Sequence, residues 1–457
     1  MARDTTDNRP IEENSQMLEW LTKGCKPKSE WRIGTEHEKF GFCLQTHQPV
    51  PYEGDRGIGA ILKALKAESD WEAIEDDGKI IGLFNPVEGG AISLEPGGQF
   101  ELSGAPLETL HQTCRESNQH LDQVKKIAAD MGIGFLGIGA SPLWTFDETP
   151  MMPKSRYKIM KQYMPKVGSQ GHDMMFRTTT IQVNLDFSDE IDMVRKLQVS
   201  LKLQSMASAL FASSPFTEGK PNGMLSWRSD IWRDVDNQRG GYHRFMLDKD
   251  FGFEKYVEWA LDIPMYFIIR DGEYRDCTDI TFRQFLNGAL KGEIEDWRAN
   301  VGDWGNHLST LFPDVRLKRF LEMRGADGGP WQRICALPAF WVGLLYSDTA
   351  LSAAEEVTAN WDAEMVSDLR DQVPKSGLKA EIDGKPLIEF AKEILQISHN
   401  GLKERGNLNS DGIDETAFLV PLEDTVAQHK TPAEIMLMKY NGEWNGDILK
   451  VFEEYAF

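Results

Sequence analysis

The chain has 457 residues, 41% hydrophobic and 27% charged, which is the composition of a globular protein with a large core. A net charge of -22 and a pI near 4.9 exclude nonspecific binding to nucleic acid or to an anionic membrane surface. They leave anionic substrates open, because divalent cations or a local arginine cluster can invert the field inside a cleft. The first ten residues, MARDTTDNRP, contain no apolar run, and no later stretch approaches the ~20 apolar residues of a membrane span, so a cytoplasmic location is expected.

In chain order, residues 11–23 read as an amphipathic opening helix. Residues 31–42 follow as a strand in which Glu36 and Glu38 share one face and His37 points to the other. A lone histidine between two acids is a weak metal signal, and His37 reads as a packed residue. Residues 57–69 read as a helix. In residues 92–104, ISLEPGGQFELSG, apolar residues alternate with polar ones on both sides of a Pro-Gly-Gly turn, so that Glu95, Gln99 and Glu101 face one way. Taken alone, this stretch is either a floor for a cation or phosphate or the solvated face of an edge hairpin. A helix is predicted over residues 107–131, with Pro106 at its start. Residues 131–142 contain the spacing G-x-G-x-x-G at Gly132, Gly134 and Gly137; Ser-Pro-Leu-Trp follows instead of a helix, which favours a glycine-rich strand over a nucleotide fingerprint. Residues 151–170 form a local basic run, either a solvated helix or a substrate-facing lid.

The cleanest strand pattern is residues 178–187, with Ile181, Val183, Leu185 and Phe187 on one face and Thr180, Gln182, Asn184 and Asp186 on the other. A long buried helix is predicted over 191–212. Residues 225–233 interleave Trp227 and Trp232 with Arg228 and Arg233. These arginines are suited to clamping a carboxylate or phosphate, or else form surface Arg–Trp stacks. Residues 315–327 read as a strand that sets Glu322 and Arg324 on one face, either for metal-assisted phosphoryl transfer or as an internal salt bridge. The remainder is mostly helical, over 334–347, 353–373, 386–405 and from Thr431 onward. The five cysteines are scattered, with no C-x-x-C.

Four distant strand segments thus carry same-face functional pairs. Antiparallel pairing would gather five glutamates, two amides and an arginine on one concave surface, and that many unpaired carboxylates call for bound cations. An all-oxygen donor set favours magnesium or manganese over zinc.

The segments RIGTEHEKFGF at 32–42, LEPGGQFELSG at 94–104, WRSDIWR at 227–233 and EMRGAD at 322–327 resemble the plant-type glutamate–cysteine ligases, from about residue 15 to the C-terminus. The resemblance implies an α+β fold of the glutamine synthetase-like class, an antiparallel sheet bent into a funnel with helices packed outside. It implies a single elaborated catalytic domain over 1–457 whose helical part, about 334–457, packs on it. The implied reaction is ATP-dependent joining of the L-glutamate γ-carboxylate to L-cysteine, through γ-glutamyl phosphate, as the first step of glutathione synthesis. ATP and two or three Mg2+ ions, or Mn2+, are the implied cofactors, in a monomer or homodimer. By the same resemblance Glu36, Glu38, Glu95, Glu101 and Glu322 would hold the metal. Arg324 would stabilise the transferring phosphoryl group, Gln182, Asn184 and Arg324 would face ATP, and Arg228 with Arg233 and Trp227 would bind the substrate carboxylate. Cys114 and Cys335 match positions that form a regulatory disulfide in plant members, and are expected within bridging distance. A ligase with a different amine substrate and a metal-independent carboxylate-pair hydrolase are the alternative readings.

Overall fold

The computed structural model describes residues 4–457. Its centre is a nine-stranded sheet. The strands are β1 (Ile33–Cys43), β2 (Glu72–Asp76), β3 (Lys79–Phe84), β4 (Ala91–Leu94), β5 (Phe100–Ser103), β6 (Ile133–Leu136), β7 (Thr180–Leu185), β8 (Val315–Leu317) and β9 (Leu321–Asp327). The spatial order is β8-β9-β7-β1-β5-β4-β3-β2, with β6 paired to the far half of β1, and every pairing is antiparallel. The sheet is not closed into a barrel.

Period-two alternation separates its faces. Ile181, Val183 and Leu185 of β7 enter the main core together with Leu321 and Met323 of β9. There they meet Leu197 and Leu201 of the helix Glu190–Leu210 and Phe340 and Trp341 of the helix Trp331–Leu345. Each such side chain contributes about 1.5–3 kcal/mol by leaving water. Phe100 and Leu102 of β5 lie instead in a second core with Val124 and Ile127 of the helix Leu110–Asp130. The helices thus cover one face of the sheet, and the polar residues of β1, β5, β7 and β9 are left to the other.

Three boundaries differ from the sequence prediction, each for a local reason. The helix expected from residue 107 begins at Leu110, because Thr109 caps it by accepting from the Gln112 amide while Gln112 reaches back, a reciprocal capping box. The single helix expected over 353–373 is two, Asp348–Val357 and Ala363–Ser376; Asp362 accepts from the amides of Glu364 and Met365 and starts the second one. The strand expected over 315–327 is the hairpin β8–β9, which sets Arg316 opposite Glu322. The glycine-rich segment forms β6 with no helix after Gly137. A Cβ on Gly134 would stand 2.5 Å from the Phe42 ring, so this glycine serves close strand packing. Among the described residues no single helix is long and apolar enough to cross a membrane.

Candidate active site

Register explains which acidic side chains meet. On β1, Glu38 lies opposite Glu101 of β5, and Glu36 lies opposite Gln182 of β7; directly paired residues share a face, so these side chains emerge together. Glu95 joins them from the turn after β4. In that turn the Gly98 amide donates to the Glu95 carbonyl and the Gln99 carbonyl accepts from the Glu95 amide. Glycine is required at 97, where a Cβ would stand 2.4 Å from the Phe176 carbonyl oxygen, and Gly98 has φ +86°. Glu36, Glu38, Glu95 and Glu101 line one cavity of about 600 Å³ together with Gln182 and Arg324. Gln99 does not join this wall: its amide donates to the carbonyls of Met175 and Thr178 and staples the turn to the chain before β7.

The carboxylates of this wall accept few hydrogen bonds. Glu36 accepts from Asn184 at 2.8 Å, Glu38 from the Thr180 amide at 3.0 Å, and Glu101 from the hydroxyls of Ser93 and Ser103. Burial, followed by the charges of Glu322 and Glu101, pushes the Glu36 carboxyl up from its usual range. Burial, followed by Glu95 and Glu101, pushes Glu38 well above it. Such a cluster is relieved by a hard dication. The four carboxylates fit one, with a qualification: no three His, Cys, Asp or Glu side chains among the described residues are gathered as a ready metal cage. Magnesium keeps several waters and takes one or two protein carboxylates plus substrate oxygens.

Glu322 departs from the expected metal set. Its fully buried carboxylate accepts two bonds from Arg316 Nη2, at 2.7 and 2.8 Å, and one from Nε at 3.0 Å; it also pairs with Lys318 at 2.8 Å and with Arg324. Burial alone would raise it, but Arg316, Lys318 and Arg324 together hold it well below the usual carboxylate range. The hairpin causes this, because its register sets Arg316 across from Glu322 and its connecting loop brings Lys318 beside it. Arg324 bridges Glu322 to Gln182 Oε1, at 2.6 Å from the latter. It sits in an irregularity of β9, where the four residues Met323 to Ala326 oppose the three residues Val183 to Ile181 of β7; such a bulge re-aims a side chain. At the neighbouring Gly325 a Cβ would stand 2.0 Å from Gln204 Nε2, so that side chain would have to move.

A second cavity, of about 510 Å³, shares Glu38, Glu95 and Arg324 with the first and adds Arg228 and Trp232. Arg228 is buried on the short helix Trp227–Ile231 and donates to the Arg324 carbonyl at 2.8 Å. Arg233 and Trp227 do not accompany it, contrary to the expected substrate set. Arg233 lies past the end of that helix, in the turn that follows it, and forms ion pairs with Asp230 and Asp371 at the surface. Trp227 stacks on Arg177, 5.0 Å from ring centre to guanidinium. The aromatic beside Arg228 is Trp232, at the i, i+4 spacing that brings side chains together on a helix and was there to be read.

Three further residues shape the site, two of them from the basic run. Asp327, the last residue of EMRGAD, accepts from the Ser213 amide and from the hydroxyls of Ser214 and Ser226, holding the helix start that carries Arg228. Arg156 and Tyr157 line the first cavity from the helix Ser155–Val167, and the Tyr157 hydroxyl donates to the Leu94 carbonyl at 2.5 Å. The basic run is therefore partly cleft wall. Cys114 and Cys335, on packed helices, are thiols in hydrogen-bond contact; burial and the neighbouring sulfur push the Cys114 thiol well up.

The family description "Glutamate-cysteine ligase family 2 (GCS2)" matches residues 32–454. Glutamate–cysteine ligase of Solanum lycopersicum is 53% identical over 441 residues, covering 96% of this chain and 82% of the relative. That of Arabidopsis thaliana is 53% identical over 444 residues, with 96% and 82% covered. Glutamate–cysteine ligase B of Oryza sativa subsp. japonica is 52% identical over 460 residues, with 98% and 90% covered. All three are named chloroplastic, which overturns the cytoplasmic location expected from the N-terminal composition. The crystal structure of a glutamate–cysteine ligase from Francisella tularensis in complex with AMP is similar with a TM-score of 0.54 at 12% identity, covering 93% of this chain and 89% of that one. At that identity the likeness establishes the fold, the glutamine synthetase-like α+β arrangement expected from the sequence.

Proposed function

Because the chain belongs to glutamate–cysteine ligase family 2, we propose that its paired cavities carry out the two halves of the family reaction at the residues described above. The protein is a glutamate–cysteine ligase, forming γ-glutamylcysteine from glutamate and cysteine with ATP, for glutathione synthesis. A carboxylate does not condense with an amine unaided. ATP therefore phosphorylates the glutamate γ-carboxylate, releasing ADP, and the cysteine amine displaces phosphate from the acyl phosphate.

Glu36, Glu38, Glu95 and Glu101 would hold magnesium, which when bound would neutralise the facing oxygens of polyphosphate and carboxylate. Glu322 has a different task in this reading: it fixes Arg316, Lys318 and Arg324 as a cationic wall. Arg324, held by Gln182 and Glu322, stabilises charge on the phosphoryl group as it passes between oxygens. Asn184 orients Glu36. Arg228, backed by Asp327 and flanked by Trp232, receives the substrate carboxylate as a fork. We treat the whole chain, with its helical part from about residue 334, as one catalytic unit.

The observation that carries this reading is the register that places Glu38 opposite Glu101 and Glu36 opposite Gln182. ADP release measured against a panel of amino acids with magnesium present tests it. Release that needs glutamate and is completed by cysteine is expected; release indifferent to both would refute it.

A further inference from the structure

Residues 4–11 run antiparallel to residues 299–306. The Ile11 amide donates to the Ala299 carbonyl at 2.9 Å, the Val301 amide to the Arg9 carbonyl at 2.9 Å and the Gly302 amide to the Asp7 carbonyl at 2.8 Å. Further along, the Thr5 amide donates to Asn306 Oδ1 at 2.7 Å, and Asn306 Nδ2 donates to the Thr5 carbonyl at 3.2 Å. The helix Val301–Ser309 is shaped to take this segment: a Cβ on Gly302 would stand 2.8 Å from the Thr5 carbonyl oxygen, and one on Gly305 would stand 3.0 Å from Thr5 Oγ1. Glycine in a helix costs up to about 1 kcal/mol against alanine, and here two of them clear the contact. The segment ends at the cleft. One Asp4 carboxylate oxygen accepts from the hydroxyl of Tyr274, on the hairpin 267–276, and the other lies 3.6 Å from Arg156 Nη1. Arg156 lines the cavity that holds Glu36, Glu38, Glu95 and Glu101, as do Phe267 of that hairpin and Ser309 at the end of the helix beside the segment. A separation of 3.6 Å is longer than an N–H···O bond, so Asp4 attracts the guanidinium without taking that N–H.

We propose that Asp4 is a positioning residue: with Tyr274 it sets Arg156 to grip an anionic group of a substrate in the cleft, a phosphate or a carboxylate. The planar guanidinium fork suits either anion. An arginine side chain has about 2 kcal/mol of rotamer entropy to lose, and a partner that orients it beforehand reduces that loss on binding. Arg156 comes from the helix Ser155–Val167 and Arg324 from β9, so the cavity presents cations from two separate elements. The inference rests on the ligase reading of the cleft for the substrates it names.

Steady-state kinetics of the full chain test this, read as ADP release with ATP, glutamate and cysteine varied in turn. Asp4→Asn should raise one KM about threefold to tenfold with kcat within about twofold: that for ATP if the anion is a phosphate, that for an amino acid if it is a carboxylate. Asp4→Glu, which keeps the charge, should restore most of the loss. Arg156→Ala should raise the same KM by at least as much, and adding Asp4→Asn to it should change nothing further. Asp7→Asn is the control on the same segment; Asp7 pairs with Arg9, and this variant should leave every KM within about twofold. With an active parent chain, three results would each overturn the proposal: no rise in any KM for Asp4→Asn, an undiminished Asp4→Asn effect in the Arg156→Ala background, or an equal rise in Asp7→Asn. A parent chain that released no ADP would refute the ligase reading, and the grip on its substrate would fall with it.

Discussion

The two halves of the cleft treat buried carboxylates in opposite ways. On β8 and β9, Glu322 is surrounded by Arg316, Lys318 and Arg324 and held far below its usual protonation range. On β1, Glu36 is buried and Glu38 half-buried; among the described residues neither has a cation at ion-pair distance, and burial with the charges of Glu322, Glu101 and Glu95 pushes them up. Both arrangements come from strand register and both cost desolvation. Only the second leaves its carboxylates without paired cations among the described residues, and that contrast supports the proposal that this half takes the cation.

The largest effect should separate the halves by activity. Glu38→Gln and Glu101→Gln are each expected to lower kcat by about a thousandfold or more. Their melting temperatures should stay level or rise, since each removes a charge from a repelling cluster. A variant that melts early would show that these carboxylates are structural instead. Glu322→Gln should do the reverse, costing on the order of 3–5 kcal/mol in urea denaturation by leaving cations buried without their partner. Unchanged stability there would dissolve the contrast.

Glu116 sharpens the comparison, because it lacks a cation as Glu38 does but lies away from the cleft. Burial raises its carboxyl to about 7, and among the described residues it accepts only from the Ala105 amide, at 2.8 Å. A carboxyl whose folded value lies above its unfolded one is a stabilising group only while protonated. Its contribution is complete below about pH 4.5 and is lost as pH rises through about 7. Glu116→Gln should therefore match the parent near pH 4.5 and exceed its stability at pH 8 by roughly 3 kcal/mol, from about 1.4 kcal/mol per unit, with activity little changed. A pH-independent difference would contradict the assignment. The smallest effect belongs to Arg233→Ala. Its exposed pairs with Asp230 and Asp371 are worth about 0–1 kcal/mol, and turnover should remain within about twofold. A large rise in KM for glutamate would return Arg233 to the substrate pocket.

Much of this was legible in the sequence because a strand's period of two is short and rigid. The faces of Glu36 and Glu38, of Glu101, and of Gln182 and Asn184 follow from alternation alone, and antiparallel pairing then brings them together. What alternation cannot show is who sits across a hairpin or one helical turn away. Arg316 and Lys318 became partners of Glu322 only when 315–327 folded back on itself. Arg233 left the site because it lies in the turn past the helix end, where Asp230 and Asp371 hold it at the surface. Trp232 could have been preferred to Trp227 from its spacing to Arg228, whereas Arg156 and Tyr157 reach the cleft through helix placement that no local pattern encodes.

The claim that the β1–β5 half is the one that receives a cation can be measured without turnover. Titration of Mn2+ into the protein with saturating ADP, following the electron paramagnetic resonance of the free ion, gives its affinity for the parent chain, Glu38→Gln and folded Glu322→Gln. A loss of about tenfold or more in Glu38→Gln, against no more than about twofold in Glu322→Gln, is the predicted result. Equal affinity in the parent and Glu38→Gln would contradict it.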